Sequence, residues 1–229
     1  MIVVDCEQGS PEWVAARLGV PTASAFHRLI TPKTAKESAA SEGYLAELVA
    51  EWLLGEPLDP DVSGFMTRGT ELEQTAIRFY ELQRDVDVAR VGFVLADDSG
   101  YGCSPDGLVG EDGGLELKCP GPAAHVRHLL ALEYEAQPTE YYAQVQGSMY
   151  VTGRAWWDFL SYHPTLPPAL VRYARDDVFC GSLAGILGDF CARLAEAKEK
   201  MIARGYHPPD GAVSGWLRAA LERSVQAQT

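Results

Sequence analysis

The chain has 229 residues, 47% of them hydrophobic and 10% aromatic, with a formal net charge of -13. That apolar content excludes a disordered chain, and no uninterrupted apolar run approaches the ~20 residues of a membrane span. The N-terminus, MIVVDCEQGS, shows no basic segment leading into an apolar one, so a cytoplasmic protein with one domain over 1–229 is expected.

The first recognisable element follows a small, polar stretch at 31–43, which reads as a loop. Leu45, Leu48, Val49 and Trp52 then recur at helical spacing, and Gly55 and Pro57 end a helix over 44–54. Thr70 is placed as the N-cap of a second helix. Thr70 and Glu73 have the spacing of a capping box, and Leu72, Ala76, Phe79 and Tyr80 form its apolar face.

Three consecutive strands are expected at 91–96, 101–109 and 114–119, with turns at Asp97-Asp98-Ser99-Gly100 and Glu111-Asp112-Gly113-Gly114. A helix over 139–152, capped by Thr139, comes next. Strands at 154–162 and 170–175 precede a long helix from 177 to 204, stopped by Gly205, Pro208 and Pro209. A short helix near 214–226 closes the chain. The order predicts an α/β architecture with helices flanking a sheet.

Cys6, Cys103, Cys119, Cys180 and Cys191 are odd in number and form no C-x-x-C pair, so free thiols are expected. His125 and His128 have a spacing that a metal pair can use, but no acidic or Cys partners stand nearby in sequence. The whole acidic excess lies between residues 41 and 117. Such a balance argues against general affinity for nucleic acid, yet it suits a divalent-metal site.

The chemistry concentrates in Ser104-Pro105-Asp106-Gly107 and Leu115-Glu116-Leu117-Lys118. Side chains alternate along a strand, so Glu116 and Lys118 share one face and Leu115 and Leu117 the other. Pairing across the intervening turn brings Asp106 towards Glu116. Two converging carboxylates call for a cation, and Mg²⁺, a hard ion that takes oxygen ligands, is the natural one. The Leu117 carbonyl is a further donor at that edge. Lys118 is placed to orient a water, take its proton or neutralise phosphate charge. Read alone, Glu-x-Lys and Asp-Gly are also ordinary on a strand face and in a turn.

The run SPDGLVGEDGGLELKCP (104–120) resembles the central motif of phage lambda exonuclease and its relatives, the YqaJ-type viral-recombinase nucleases of the PD-(D/E)-x-K superfamily. Three further stretches match in the same order. They are Glu7-Gln8-Gly9 with Trp13, Arg17-Leu18-Gly19 and Thr22-Ala23-Ser24; Arg68-Gly69 leading to Glu73; and Ala143-Gln144-Val145-Gln146 with Ser148-Met149 and Val151-Thr152. Gly147 stands where bulkier residues are common in the family, and Leu72 where an aromatic can stand.

The resemblance implies a restriction-endonuclease-like core, a mixed central sheet flanked by helices. It implies Mg²⁺-dependent, 5′-to-3′ degradation of one strand of linear duplex DNA to mononucleotides, with Mn²⁺ as a substitute. A 3′-tailed product, a ring-shaped homotrimer, a single-strand annealing protein as partner and a phage or prophage origin belong to the same expectation. Carried over by motif, Asp106, Glu116 and the Leu117 carbonyl would hold the metal. Lys118 would be the catalytic lysine, with Glu73 and Gln144 beside it; Glu71 is a second candidate for the acidic position. Arg17, Ser24 and Ser104 would hold a 5′-terminal phosphate.

A ring needs to be basic only on its inner wall, for which Arg28, Lys33, Lys36 and Arg154 are the candidates. The catalytic triplet by itself also permits an endonuclease of the same superfamily, or a non-catalytic DNA-end clamp.

Overall fold

The computed structural model describes residues 1–58, 66–96, 100–133 and 139–209, without the side chains of 66–71, 133 and 139. The expected helix near 214–226 and the turn residues Asp97, Asp98 and Ser99 lie outside the described residues, as do the side chains of Arg68, Thr70 and Glu71.

Strand β1 (Ile2–Val4) and helix α1 (Pro11–Arg17) open the chain. A 3₁₀ helix (Ala23–Arg28), a small hairpin of β2 (Ile30–Thr31) and β3 (Lys36–Glu37), and helices α2 (Ser41–Leu54) and α3 (Met66–Arg84) follow. Five strands come next: β4 (Val88–Ala89), β5 (Phe93–Leu95), β6 (Gly102–Cys103), β7 (Gly107–Val109) and β8 (Gly113–Lys118). Helix α4 (Pro122–Glu133), a 3₁₀ turn (Thr139–Tyr141) and α5 (Tyr142–Thr152) lead to β9 (Trp156–Ser161), β10 (Ala169–Ala174) and α6 (Asp177–Ala203).

The main sheet has the order β10-β9-β8-β7-β4. Only β8 and β9 in it run parallel. A parallel pair needs a long crossover, and α4 and α5 provide it. Strands β1, β5 and β6 form a second, antiparallel sheet. The architecture is the expected mixed sheet flanked by helices.

Residues along β8 divide cleanly between its two faces. Leu115 and Leu117 pack with Ala76, Ile77 and Tyr80 of α3. On the opposite face Val145 and Met149 of α5 pack with Trp157, Phe159 and Tyr173. Glu116 lies beside Phe159 in the parallel register, which turns it towards α5. Close approach explains two glycines. A Cβ at Gly114 would enter the Trp157 ring, and one at Gly147 would enter the ring of Phe26. Phe26 therefore occupies the space that a larger residue at 147 would need.

Three expectations are corrected. Residues 101–109 are not one strand: β6 and β7 belong to different sheets. Pro105 has no N–H to contribute to a ladder, and its carbonyl accepts from Gln8 Nε2 at 2.7 Å. Residues 104–106 thus leave both sheets, and Asp106 sits at the joint.

Thr70 is not an N-cap, because α3 begins at Met66. Gly69 and Thr70 are weak helix formers, but the apolar face of α3 on β8 extends the helix through them. Thr139 likewise starts a 3₁₀ turn, and Tyr141 is the N-cap residue of α5.

Helix α6 is also long and apolar enough, by length and composition, to cross a membrane. Its Phe179, Leu183, Leu187 and Phe190 lie in the core with Tyr44 and Leu48 of α2. Asp176 caps it, accepting from the backbone N–H groups of Val178 and Phe179, worth about 1 kcal/mol.

Candidate active site

Hairpin β7–β8 sets the residues of the Asp106 and Glu116–Lys118 motifs against one another. Gly107 pairs with Leu115, which leaves Asp106 just beyond the pairing and close to the 116–118 stretch. Asp106 Oδ2 accepts from the Leu117 backbone N–H at 2.6 Å. Glu116, only 1% exposed, meets two donors at one oxygen. Gln144 Nε2 reaches its Oε1 at 2.6 Å, and so does Lys118 Nζ.

Burial pushes the Glu116 acid up to about 7, with Lys118 opposing the rise and Asp106 adding to it. Burial also raises Asp106, against the pull of Lys118 and the Leu117 N–H. For Lys118, burial favours the neutral amine, but Glu116 and Asp106 outweigh it and hold the ammonium form. Glu73 on α3 lies within electrostatic reach of this group. Burial and Asp106 raise its acid, while Arg90 and Lys118 lower it.

Two carboxylates and one ammonium leave the cluster short of positive charge. Asp106 Oδ1 and Glu116 Oε2 take no hydrogen bond from any described residue. Oxygen donors of this kind suit a hard divalent cation. Among the described residues no three His, Cys, Asp or Glu side chains form a metal cluster. Two carboxylates and a backbone carbonyl make a donor set compatible with that finding, because only two of its members are side chains.

The residues expected to hold a phosphate lie in and beside a second locality. Arg17 Nη1 donates to Ser104 Oγ at 2.7 Å, and Trp13 Nε1 donates to the same oxygen at 2.9 Å. The Arg17 guanidinium lies 4.2 Å from the Trp13 ring centroid and makes no ion pair within the described residues. Burial disfavours its charge. Arg17 and Ser24 line one cavity of ≈ 310 Å³, together with Thr22, Arg28 and Tyr44. Ser24 Oγ is 3.2 Å from Thr22 Oγ1 and makes no bond to Arg17 or Ser104.

Other expected residues fall outside the site. Gln146 donates to Ala174 O and accepts from Asp176 N–H, so it joins α5 to the start of α6. His125 and His128 are buried, and both approach Ser161 Oγ at 2.8 Å through Nδ1. They form a hydrogen-bond network and no metal pair. Two of the proposed channel cations are already engaged. Arg28 is paired with Glu47, and Arg154 Nη1 donates to the carbonyls of Gly110 and Gly113. Lys33 and Lys36 are exposed at the β2–β3 hairpin.

Some contributors carried no assignment in the sequence. Gln8 Nε2 bridges the carbonyls of Val91 and Pro105 and so fixes the joint that carries Asp106. Its position in the Glu7-Gln8-Gly9 motif was the available signal. Trp13, also a motif residue, orients Ser104. Arg90, with Gln8 and Gln74, lines a cavity of ≈ 540 Å³ and lowers the acids of Asp106 and Glu73. Tyr141 lies under Lys118, its ring centroid 5.4 Å from Nζ.

The YqaJ-like viral recombinase domain matches residues 12–155. An alkaline exonuclease from Laribacter hongkongensis, LHK-Exo, is 34% identical, with a TM-score of 0.72 over 86% of this chain and 98% of its own. Its complex with dAMP gives a TM-score of 0.73 at the same identity and coverage. A phage-related exonuclease from Haemophilus somnus 129PT is 15% identical, with a TM-score of 0.63 over 80% of this chain and 96% of its own, a likeness of fold. No curated protein sequence matches. The chain belongs to the YqaJ-like viral recombinase family.

Proposed function

We propose that this member of the YqaJ-like viral recombinase family is a metal-dependent deoxyribonuclease. It degrades one strand of linear duplex DNA from the 5′ end, releases mononucleotides and leaves a 3′ single-stranded tail. One observation carries the choice of an end-directed enzyme over an endonuclease. Ser104, which Arg17 binds, and Asp106, which pairs with the β8 backbone, are two residues apart in one segment outside both sheets. A terminal-phosphate pocket and a carboxylate centre are thereby tied together, and an endonuclease has no terminal phosphate to hold.

Asp106 and Glu116, with the Leu117 carbonyl, would hold Mg²⁺, for which Mn²⁺ substitutes. When bound, the ion supplies Lewis-acid polarisation of the scissile phosphate and acidifies a neighbouring water. Gln144 fixes the Glu116 carboxylate by its amide donor. Lys118, held as ammonium, neutralises charge that builds on the phosphate oxygens in the transition state. Glu73 adds a third carboxylate to the same field. Arg17, Ser104 and Ser24 bind and orient the 5′-phosphate, which sets the register of cleavage.

A ring-shaped homotrimer reconciles this activity with a net charge of -13, because encirclement retains DNA without general attraction. The tailed product is a substrate for a single-strand annealing protein.

The test compares wild type with Asp106→Ala and Lys118→Ala on linear 5′-phosphorylated duplex in Mg²⁺. Both variants should fold and lose degradation. Digestion at the wild-type rate by Asp106→Ala would overturn the assignment.

A further inference from the structure

Lys118 feels two carboxylates, Glu116 in direct contact and Asp106 through space, and lies over one aromatic ring. Glu116 Oε1 is 2.6 Å from Nζ. If Glu116 and Asp106 also serve a cation, their hold on the lysine weakens, and it needs another. The Tyr141 ring is the group in place, its centroid 5.4 Å from Nζ. A ring face attracts an ammonium through its quadrupole.

The ring is itself fixed. It stacks on Phe159 with centroids 4.8 Å apart, and Phe159 is fully buried beside Glu116 in the sheet. His128 packs on the Tyr141 ring with the ring planes at 75° and centroids 5.7 Å apart. The orientation of His128 is set in turn by its partners. Its Nδ1 lies 2.8 Å from Ser161 Oγ, which His125 Nδ1 also approaches at 2.8 Å. Its Nε2 lies 3.0 Å from Glu140 Oε1, next to Tyr141 in sequence, and His125 Nε2 lies 2.8 Å from the Pro167 carbonyl oxygen. The Tyr141 hydroxyl has no hydrogen-bond partner within the described residues, so it is the ring that is anchored.

We propose that Tyr141 is a positioning residue for Lys118, its ring face holding the ammonium in line with the scissile phosphate when Glu116 is otherwise engaged. The proposal rests on the nuclease reading above for its consequence, and on the ring contact for its geometry.

Two measurements on wild type, Tyr141→Leu and Tyr141→Phe separate those parts. In metal-free protein, the Lys118 ε-CH₂ proton resonance, assigned by its loss in Lys118→Ala, should lie upfield of Lys33 and Lys36 through the ring current. Tyr141→Phe should keep that shift and Tyr141→Leu should abolish it. In Mg²⁺, Tyr141→Leu should lower kcat about tenfold, the rate equivalent of a partly desolvated cation–π contact. KM for duplex ends should stay unchanged, and loss of the stack on Phe159 should lower the unfolding temperature in Tyr141→Leu but not in Tyr141→Phe. Tyr141→Phe should restore most of the wild-type kcat.

Wild-type kcat in Tyr141→Leu, or an equal loss in Tyr141→Phe, would overturn the positioning role. An inert wild type would overturn the nuclease reading, and the upfield shift would still decide whether the ring holds the lysine.

Discussion

Gln144 Nε2 lies 2.6 Å from Oε1 of Glu116, although 28 residues separate them in the chain. The bond crosses from α5 to β8 and joins the crossover helix to the strand it returns from. It delivers a neutral donor to a carboxylate that burial has made a weak acid. That donor and Lys118 meet the same oxygen, so the other oxygen of Glu116 is the one proposed to face a cation.

Gln144→Ala removes the donor and should lower kcat about tenfold to a hundredfold, the range of a hydrogen bond to a charged group. Stability should change little, because Gln144 is only partly buried. Steady-state kinetics with thermal unfolding checks both. An unchanged kcat would remove Gln144 from the site.

The Glu116 acid also sets a pH dependence. In the folded chain it is raised to about 7, so between the ordinary carboxylate range and pH 7 the folded state keeps a proton that the unfolded state has lost. Metal-free stability should therefore fall as pH rises across that window. Mg²⁺ must displace the same proton, so its affinity should rise about tenfold per pH unit up to about 7 and then level off. Calorimetric titration in buffers of different ionisation enthalpy measures the affinity and the proton released. A flat affinity from pH 5.5 to 8 would contradict the account.

At the proposed phosphate pocket, Arg17→Ala leaves Ser104 without its cation. The rate ratio between 5′-phosphorylated and 5′-hydroxyl ends should fall by about tenfold to a hundredfold, the loss of a charge-assisted contact. Cleavage of 5′-hydroxyl ends should be little altered. Equal ratios in mutant and wild type would exclude Arg17 from end recognition.

For the fold, Gly114→Ala drives a Cβ into Trp157, which is fully buried. Overpacking of this kind costs about 1–3 kcal/mol, read as a lower denaturation midpoint with an unchanged slope. Gly110→Ala, at a site open to solvent but with positive φ, separates backbone strain from this clash.

Much of the site was legible because it is local. Period-two alternation along β8 and one turn suffice to bring Asp106, Glu116 and Lys118 together. Gln144 came from its motif alone, since nothing in a helix pattern points back to a strand residue 28 positions earlier. The break at Pro105 was missed because the strand pattern on both sides of it continues, and only the Gln8 contact, nearly a hundred residues away in sequence, shows which carbonyl leaves the ladder. Arg28 and Arg154 read as free cations because their partners, Glu47 and the carbonyls of the β7–β8 turn, are distant in sequence. Tyr141 had a faint signal, an aromatic pair with Tyr142 just before Gln144, but its place under Lys118 depends on how the crossover docks.

The central claim is end-directed removal of nucleotides from a 5′-phosphate. The direct measurement incubates the protein with Mg²⁺ and three end-labelled DNAs: a linear duplex with 5′-phosphate, the same duplex with 5′-hydroxyl, and a covalently closed circle. The account predicts mononucleotides from the labelled 5′-phosphate end, slower loss from the hydroxyl end and intact circles. Cut circles, or first release from the 3′ end, would contradict it.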